Sequence, residues 1–294
     1  MNDLVVVRVD GGIASQINFY ALGQLFCKKG YRVKYDISWF ANEGKEFYCK
    51  EKGYQKNYSI KWDIPKIFPE LKVEIASTEE IKFTQKYRIN DERALRLKPP
   101  FYLEGYNFAS PTAHIYEYLR DKFVIGELQT NSKIAELARE ICISQSCGIH
   151  IRRGDLSSEH IIYGKPTSID YFLKSIELIN KVCPKVKLFL FSDDIKWVKE
   201  NLISHIVQDY VLCDVSTPEN GYIDLYLLSR CKFIIGSHGS LGLAAKLLAD
   251  DTTFFITPKY CHYHFEFLEN IAVINWFKDE LSGGGGEIIK RKVY

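Results

Sequence analysis

What this chain of 294 residues lacks removes whole classes of protein. It has no Cys-x-x-Cys pair. Its eight cysteines stand at 27, 49, 142, 147, 183, 213, 231 and 261, mostly among apolar neighbours, which suits reduced core thiols and argues against a zinc site or a disulfide framework. It has no apolar run of bilayer length, and the opening Met1-Asn2-Asp3-Leu4-Val5-Val6-Val7 carries neither a basic region nor a small-residue cleavage site, so a cytoplasmic protein without a membrane span is expected. It has no charge excess: 39 basic residues against 37 acidic ones leave a net +2, too little for a chain-wide basic field, and nucleic acid is not an expected partner. It has no Asp-x-Asp, and His262 with His264 is the only close histidine pair, so no metal ligand set is expected.

What is present is enough to bury two cores: 46% hydrophobic residues, 14% aromatic. Leu4 to Val9 reads as a strand, Ser15 to about Phe26 as a helix, and Tyr31 to Tyr35 as a second strand. Gly11 and Gly12 then occupy the turn at a helix amino terminus, where free N–H groups favour a phosphate or a sugar hydroxyl. Asp36 stands where a dinucleotide fold would keep its ribose-binding acid, although Gly-Gly-Ile-Ala-Ser is not the Gly-x-Gly-x-x-Gly fingerprint. Residues 40 to 100 have little periodicity. Thr130 and Asn131 are candidate caps for a helix to about Ile141, and the domain boundary is placed between residues 125 and 145.

The chain is organised around Cys147-Gly148-Ile149-His150-Ile151-Arg152-Arg153-Gly154-Asp155. Ile149 and Ile151 alternate with His150 and Arg152, the period of a strand, so the polar pair shares one face just before the Gly154 turn. Two readings stand for the guanidiniums: an anion clamp, whose planar forks match phosphate oxygens, or a surface turn with Asp155 as ion-pair partner. Helix Ile169 to Val182 and strand Val186 to Phe191 follow, the strand delivering Ser192-Asp193-Asp194. Farther on, the turn Gly236-Ser237-His238-Gly239-Ser240 separates strand Phe233 to Ile235 from a helix and would turn backbone N–H groups toward an anion. Strand, polar turn and helix repeat in the manner of an open parallel sheet. The glycine run 283 to 286 leads to Lys290-Arg291-Lys292, read as a flexible tail, with contact to anionic lipid headgroups as the rival reading.

Taken together, these motifs resemble the α1,2-fucosyltransferase family within the wider group of inverting GDP-fucose-dependent transferases. Gly11-Gly12-Ile13-Ala14-Ser15-Gln16 resembles its Gly-Gly-Leu-Gly-Asn-Gln opening and Gly105-Tyr106-Asn107 its Gly-Tyr-aromatic-Gln segment. His150-Ile151-Arg152-Arg153-Gly154-Asp155 matches its most specific motif in full, and Phe191-Ser192-Asp193-Asp194 with Trp197 matches another. Ala14-Ser15 departs from Gly-Asn, and Ser237-His238-Gly239-Ser240 departs from the family's aromatic-rich stretch toward the wider group.

The resemblance implies an α/β, GT-B-like fold of two Rossmann-type domains facing a cleft, with acceptor bound by residues 1–135, donor by 136–280, and 281–294 as tail. It implies no cofactor and no catalytic metal. The expected donor-binding set is Gly11, Gly12, Ser15, Arg152, Arg153, Asp155, Asp193, Asp224, Ser237, His238, Gly239 and Ser240. Arg152 would neutralise the leaving diphosphate, His150 would be a second donor or a positioning group, and Glu159 the base, with His160 as alternative. Asp193 or Asp194 could accept from a ribose or cap the next helix; Asp224 could read the guanine edge or simply favour a helix dipole.

The expected reaction moves L-fucose from GDP-fucose to a hydroxyl of an oligosaccharide, lipid-linked in one version, making an α1,2 bond in bacterial surface polysaccharide at or near the inner face of the membrane. Another GDP-linked deoxy sugar such as colitose is the rival donor. From other classes, a dinucleotide-dependent oxidoreductase would use Gly11, Gly12 and Asp36, and a non-catalytic nucleotide-sugar binder would hold GDP without releasing it from a donor.

Overall fold

β-branched runs in both halves of the chain become parallel strands. The computed structural model describes residues 2–46, 59–105, 109–153, 156, 166–259, 270–274 and 288–290. The chain forms two units, dividing between Val124 and Ile125. The division expected at residue 135 therefore falls earlier. The helix from Ser132 packs on the strand that follows it, which places it with the second unit.

In the first unit the elements are β1 (Leu4–Arg8), α1 (Ile13–Lys28), β2 (Arg32–Asp36), α2 (Ser38–Ala41), α3 (Ile64–Ile67), α4 (Thr78–Thr84), β3 (Arg88–Ile89), β4 (Phe101–Leu103) and α5 (Ala109–Arg120). The strands form a parallel sheet in the order β2-β1-β4-β3. Leu4 to Val7 are buried on both faces, which is why β1 reads as a continuous apolar run. At its carboxyl end Gly11 takes φ +74°, and Gly12 caps α1 without a side-chain bond. The fully buried Gln16 pins this turn: its Nε2 donates to the carbonyls of Gly11 (3.2 Å) and Lys61 (2.8 Å), and its Oε1 accepts the Asp63 amide (2.9 Å).

Asp36 is committed to the fold. Its Oδ2 accepts the Tyr102 hydroxyl at 2.7 Å and its Oδ1 the Ser38 amide at 2.9 Å, so both oxygens have internal donors at 3% exposure. The ribose-binding acid of the oxidoreductase reading is thereby lost.

The second unit contains α6 (Glu127–Thr130), α7 (Ser132–Ile143), β5 (Ser146–Ile151), α8 (Ile169–Val182), β6 (Lys187–Ser192), α9 (Ile195–Trp197), β7 (Tyr210–Leu212), α10 (Tyr222–Ser229), β8 (Phe233–Ile235), α11 (Ser240–Leu248), β9 (Phe254–Pro258), β10 (Ile271–Ile274) and β11 (Ile288–Lys290). Among the described residues seven strands lie in the order β11-β10-β9-β8-β5-β6-β7. From β5 the chain builds outward through β6 and β7, then returns to lay β8 on the other flank of β5. The sheet's switch point is therefore between β5 and β8, where open α/β sheets hold ligands.

The two faces of β5 are packed differently. Cys147, Ile149 and Ile151 join Tyr171, Phe172, Ile176 and Ile179 of α8 in one core. On the other face Gly148 leaves room for α10: a methyl there would sit 2.8 Å from Leu228 and 2.9 Å from the Cys231 sulfur. His150 shares that face, so the even positions of β5 run from close helix packing to the site.

The tail differs from expectation. Residues 288 to 290 pair antiparallel with β10, Ile274 opposite Ile288, and form an edge strand of the sheet. In sequence, the glycine run falls before this strand.

Candidate active site

Three loops meet at the carboxyl ends of β5, β6 and β8. Ser237, 1% exposed, is the hub: its Oγ accepts the Arg152 amide at 3.0 Å and lies 3.3 Å from Nδ1 of His150. The next residues turn the chain into α11. Gly239 adopts φ +118° and ψ 168°, a conformation essentially restricted to glycine, and the Arg152 guanidinium lies over it. A cation, a buried hydroxyl and the free N–H groups opening α11 thus converge, and each of them favours an anion.

Two other glycines bring the helix close. A methyl on Gly242 would lie 3.0 Å from the Gly236 Cα, and one on Gly236 would lie 2.9 Å from the Phe255 ring. Behind them the Tyr171 hydroxyl donates to the Gly236 carbonyl at 2.6 Å, fixing the end of β8 from α8.

The adjacent arginines do different things. Arg153 lays its guanidinium on the Trp197 indole, 3.8 Å from the ring centroid, and donates from a terminal nitrogen to the Thr167 carbonyl at 3.4 Å. Its amide is received by Asp193 Oδ1 at 2.7 Å. Stacking of this kind is worth roughly 0.5–2 kcal/mol, so Arg153 is braced against β6 and α9 while Arg152 is turned toward the α11 turn. Asp194 is the cap of α9, accepting the Trp197 amide at 2.9 Å.

Fully buried Thr167 links the two turns, since its carbonyl receives Arg153 and its Oγ1 receives the His238 amide at 3.0 Å. Nothing in the sequence marks it, because it lies in a polar stretch just before the α8 cap Ser168. Gly236 and Gly242 are visible in sequence only as members of a small-residue turn; their role depends on the approach of Phe255 and of each other.

Burial dominates the electrostatics. It pushes the His150 imidazole down to about 3, with Arg152 adding to the effect, so the ring is neutral at physiological pH. It pushes Asp224, in the first turn of α10, up to about 7, with Asp193 and Asp214 adding and a hydrogen bond from Ser216 opposing. Among the described residues Oδ1 of Asp224 has no hydrogen-bond partner although the residue is 9% exposed. A buried carboxylate oxygen left in that state is an acceptor awaiting a donor.

Of the candidate residues, His150, Arg152, Arg153, Asp193, Ser237, His238, Gly239 and Ser240 come together at the strand ends of the second unit. Asp224 lies in the same unit and is close enough to Asp193 to feel its charge. Gly11, Gly12 and Ser15 belong to the first unit. Asp155, Glu159 and His160 lie outside the described residues.

Fold and site together define an α/β protein whose sheet switch point gathers Arg152, Ser237 and the Gly239 turn. Residues 71–280 match the model of glycosyl transferase family 11, and the chain belongs to that family. Among curated proteins it is 33% identical over 129 residues to an alpha-1,2-colitosyltransferase of Escherichia coli, a match covering 42% of each chain. It is 26% identical over 136 residues to the Escherichia coli O-antigen biosynthesis glycosyltransferase WbnK, covering 40% of this chain and 44% of that one. The matches thus span less than half the length of these relatives. Among solved structures, the fucosyltransferase NodZ from Bradyrhizobium aligns over 98% of this chain and 99% of its own at a TM-score of 0.50 and 13% identity. The likeness is one of fold, and the expected GT-B-like α/β class holds.

Proposed function

We propose that the chain is an inverting glycosyltransferase that moves L-fucose from GDP-fucose to a hydroxyl of an oligosaccharide, forming an α1,2 bond in the synthesis of bacterial surface polysaccharide. The observation that carries this reading is the convergence of Arg152, Ser237 and the Gly239 turn at the switch point of a family 11 chain. In the reaction the acceptor oxygen attacks the anomeric carbon from the face opposite GDP. The bond from that carbon to the β-phosphate oxygen breaks, and GDP leaves with the bonding pair. Arg152 and the α11 amides stabilise the charge developing on the diphosphate, Asp224 accepts from the guanine edge, and Arg153 holds the strand end in place. The acceptor's proton goes to a base for which Glu159 is the candidate, with His160 as the other. We assign the acceptor to the first unit, where Gly11, Gly12 and Ser15 lie at the start of α1.

Colitose is a specific second reading for the sugar, because one relative is an alpha-1,2-colitosyltransferase. No cofactor and no divalent ion enter this mechanism; among the described residues no group of three His, Cys, Asp or Glu could hold a metal. Nor is any helix among them long and apolar enough to cross a membrane, which is compatible with peripheral contact to a lipid-linked acceptor.

A panel of GDP-fucose, GDP-colitose, GDP-mannose and UDP-galactose, offered with O-antigen-type oligosaccharides, tests the reading through nucleotide release and product mass. Release is expected from the GDP-linked 6-deoxy sugars and undiminished in excess EDTA. Release from UDP-galactose alone would overturn the assignment, and activity lost to EDTA and restored by Mn²⁺ would overturn the metal-free mechanism.

Gly239→Ala is expected to destabilise the protein by about 1–3 kcal/mol, because alanine avoids this backbone conformation. It should also weaken GDP by about tenfold or more, since the new methyl lies 3.3 Å from an Arg152 terminal nitrogen. A thermal melt and a GDP titration measure the two effects, and parental values in both would contradict the assigned geometry.

A further inference from the structure

The hydroxyl of Ser237 has one proton, and its neighbours decide where that proton goes. The Arg152 amide can only donate, so at 3.0 Å the Ser237 oxygen is its acceptor. Among the described residues the other polar atom in reach is Nδ1 of His150 at 3.3 Å. Were Nδ1 to carry hydrogen, the oxygen would accept twice and its own proton would be buried without an acceptor, an arrangement costing about 1–3 kcal/mol. With the proton given to an Nδ1 lone pair, the Arg152 amide, the Ser237 hydroxyl and Nδ1 are all satisfied. The ring hydrogen must then be on Nε2, which has no hydrogen-bond partner among the described residues although His150 is only 8% exposed.

We propose that Ser237 is a positioning residue that fixes His150 as its Nε2–H tautomer, so that the neutral ring donates a hydrogen bond to an oxygen of the bound nucleoside diphosphate. The second half of this assignment rests on the GDP-donor reading; the first does not. Surroundings favour the neutral ring. Gly148, on the same strand face, is packed by Leu228 and Cys231, and the charge nearest the ring is the like charge of Arg152. His150 is accordingly not the base that takes the acceptor's proton: its one lone pair faces a hydroxyl donor. The tautomer also makes the Arg152 amide, Ser237 and His150 a directed relay of hydrogen bonds, so that setting the strand end sets the ring.

Two-bond proton–nitrogen correlation on protein labelled with ¹⁵N-histidine reads the tautomer without turnover, with the His150 signals assigned by their loss in His150→Gln. Between pH 6 and 8 the parent should show an unprotonated Nδ1 and a protonated Nε2. Ser237→Ala should shift His150 toward a tautomer mixture and weaken GDP by about 3–10-fold, while Ser237→Thr, which keeps the hydroxyl, should stay near the parent in both. An imidazolium or an Nδ1–H ring in the parent overturns the proposal, and this result does not depend on either Ser237 variant folding. An unchanged Nε2–H population in folded Ser237→Ala overturns the role of the hydroxyl. A parent with the expected tautomer that fails to bind GDP leaves the pairing in place and overturns the donor reading instead.

Discussion

Arg152→Ala should lower turnover roughly 100-fold, about 3 kcal/mol at the transition state, while the fold stays intact. The truncation removes the guanidinium from over the Gly239 turn but keeps the backbone amide held by Ser237, which any residue other than proline supplies at 152. The turn therefore survives, and the deficit falls on the charge that develops as the diphosphate departs. For the same reason kcat should fall more than GDP affinity, because bound donor carries less charge on the bridging oxygen than the transition state does. Arg152→Lys should not restore the rate, since an ammonium is a point charge where a planar fork is needed. Steady-state kinetics of both variants measure this, and near-parental kcat in either removes Arg152 from the mechanism.

Asp224→Asn should weaken GDP by about 100-fold and ADP or UDP far less, and it should make the protein more stable at pH 8. A carboxylate meets guanine's paired N–H donors with two acceptors, whereas an amide offers one acceptor and turns its own N–H toward a donor. The stability gain follows from the folded-state value of about 7, set mainly by burial. The folded protein binds a proton here that the unfolded chain releases near pH 4, so stability falls as pH rises from about 4 to 7 and the full penalty is present above 7. Three units correspond to a ceiling of roughly 4 kcal/mol, from which a buried unsatisfied amide takes back about 1–3 kcal/mol. Melts of parent and variant should therefore diverge at pH 8 and converge at pH 5. In the parent, GDP affinity should fall toward tenfold per unit as pH drops below 7. Equal losses for all three nucleotides, or a variant less stable at pH 8, would return Asp224 to the role of an ordinary first-turn carboxylate.

Where structure follows from local period, the sequence is legible. The alternation of Ile149 and Ile151 with His150 is the two-faced packing of β5, and α8 spans Ile169–Val182 as its apolar spacing and Pro184 indicate. Asn131 caps α7 through the amides of Lys133 and Ile134. What stays hidden depends on partners distant in sequence. Strands as short as β3 and β7 have no period to read and exist because β4 and β6 present edges to them. The tail reads as flexible for the same reason, its pairing with β10 being tertiary. Within the site, Arg152 and Arg153 are identical in sequence, and only Trp197 on one side and Gly239 on the other separate their tasks. Asp193 and Asp194 are likewise told apart by the amides they receive, from Arg153 and from Trp197.

The Arg152 amide is held by a side chain 85 residues farther along, so the end of β5 is sealed only once β8 and its turn have docked beside it. That makes this one N–H a local gauge of opening. Its exchange with deuterated solvent should follow the separation of the β8 turn from β5 and not the unfolding of the sheet core, giving an opening free energy below the global one. Any ligand that bridges the two turns must slow that exchange by the factor 1 + [L]/Kd. Occupancy of the site could then be followed at a single backbone position for substrates that bind and never react.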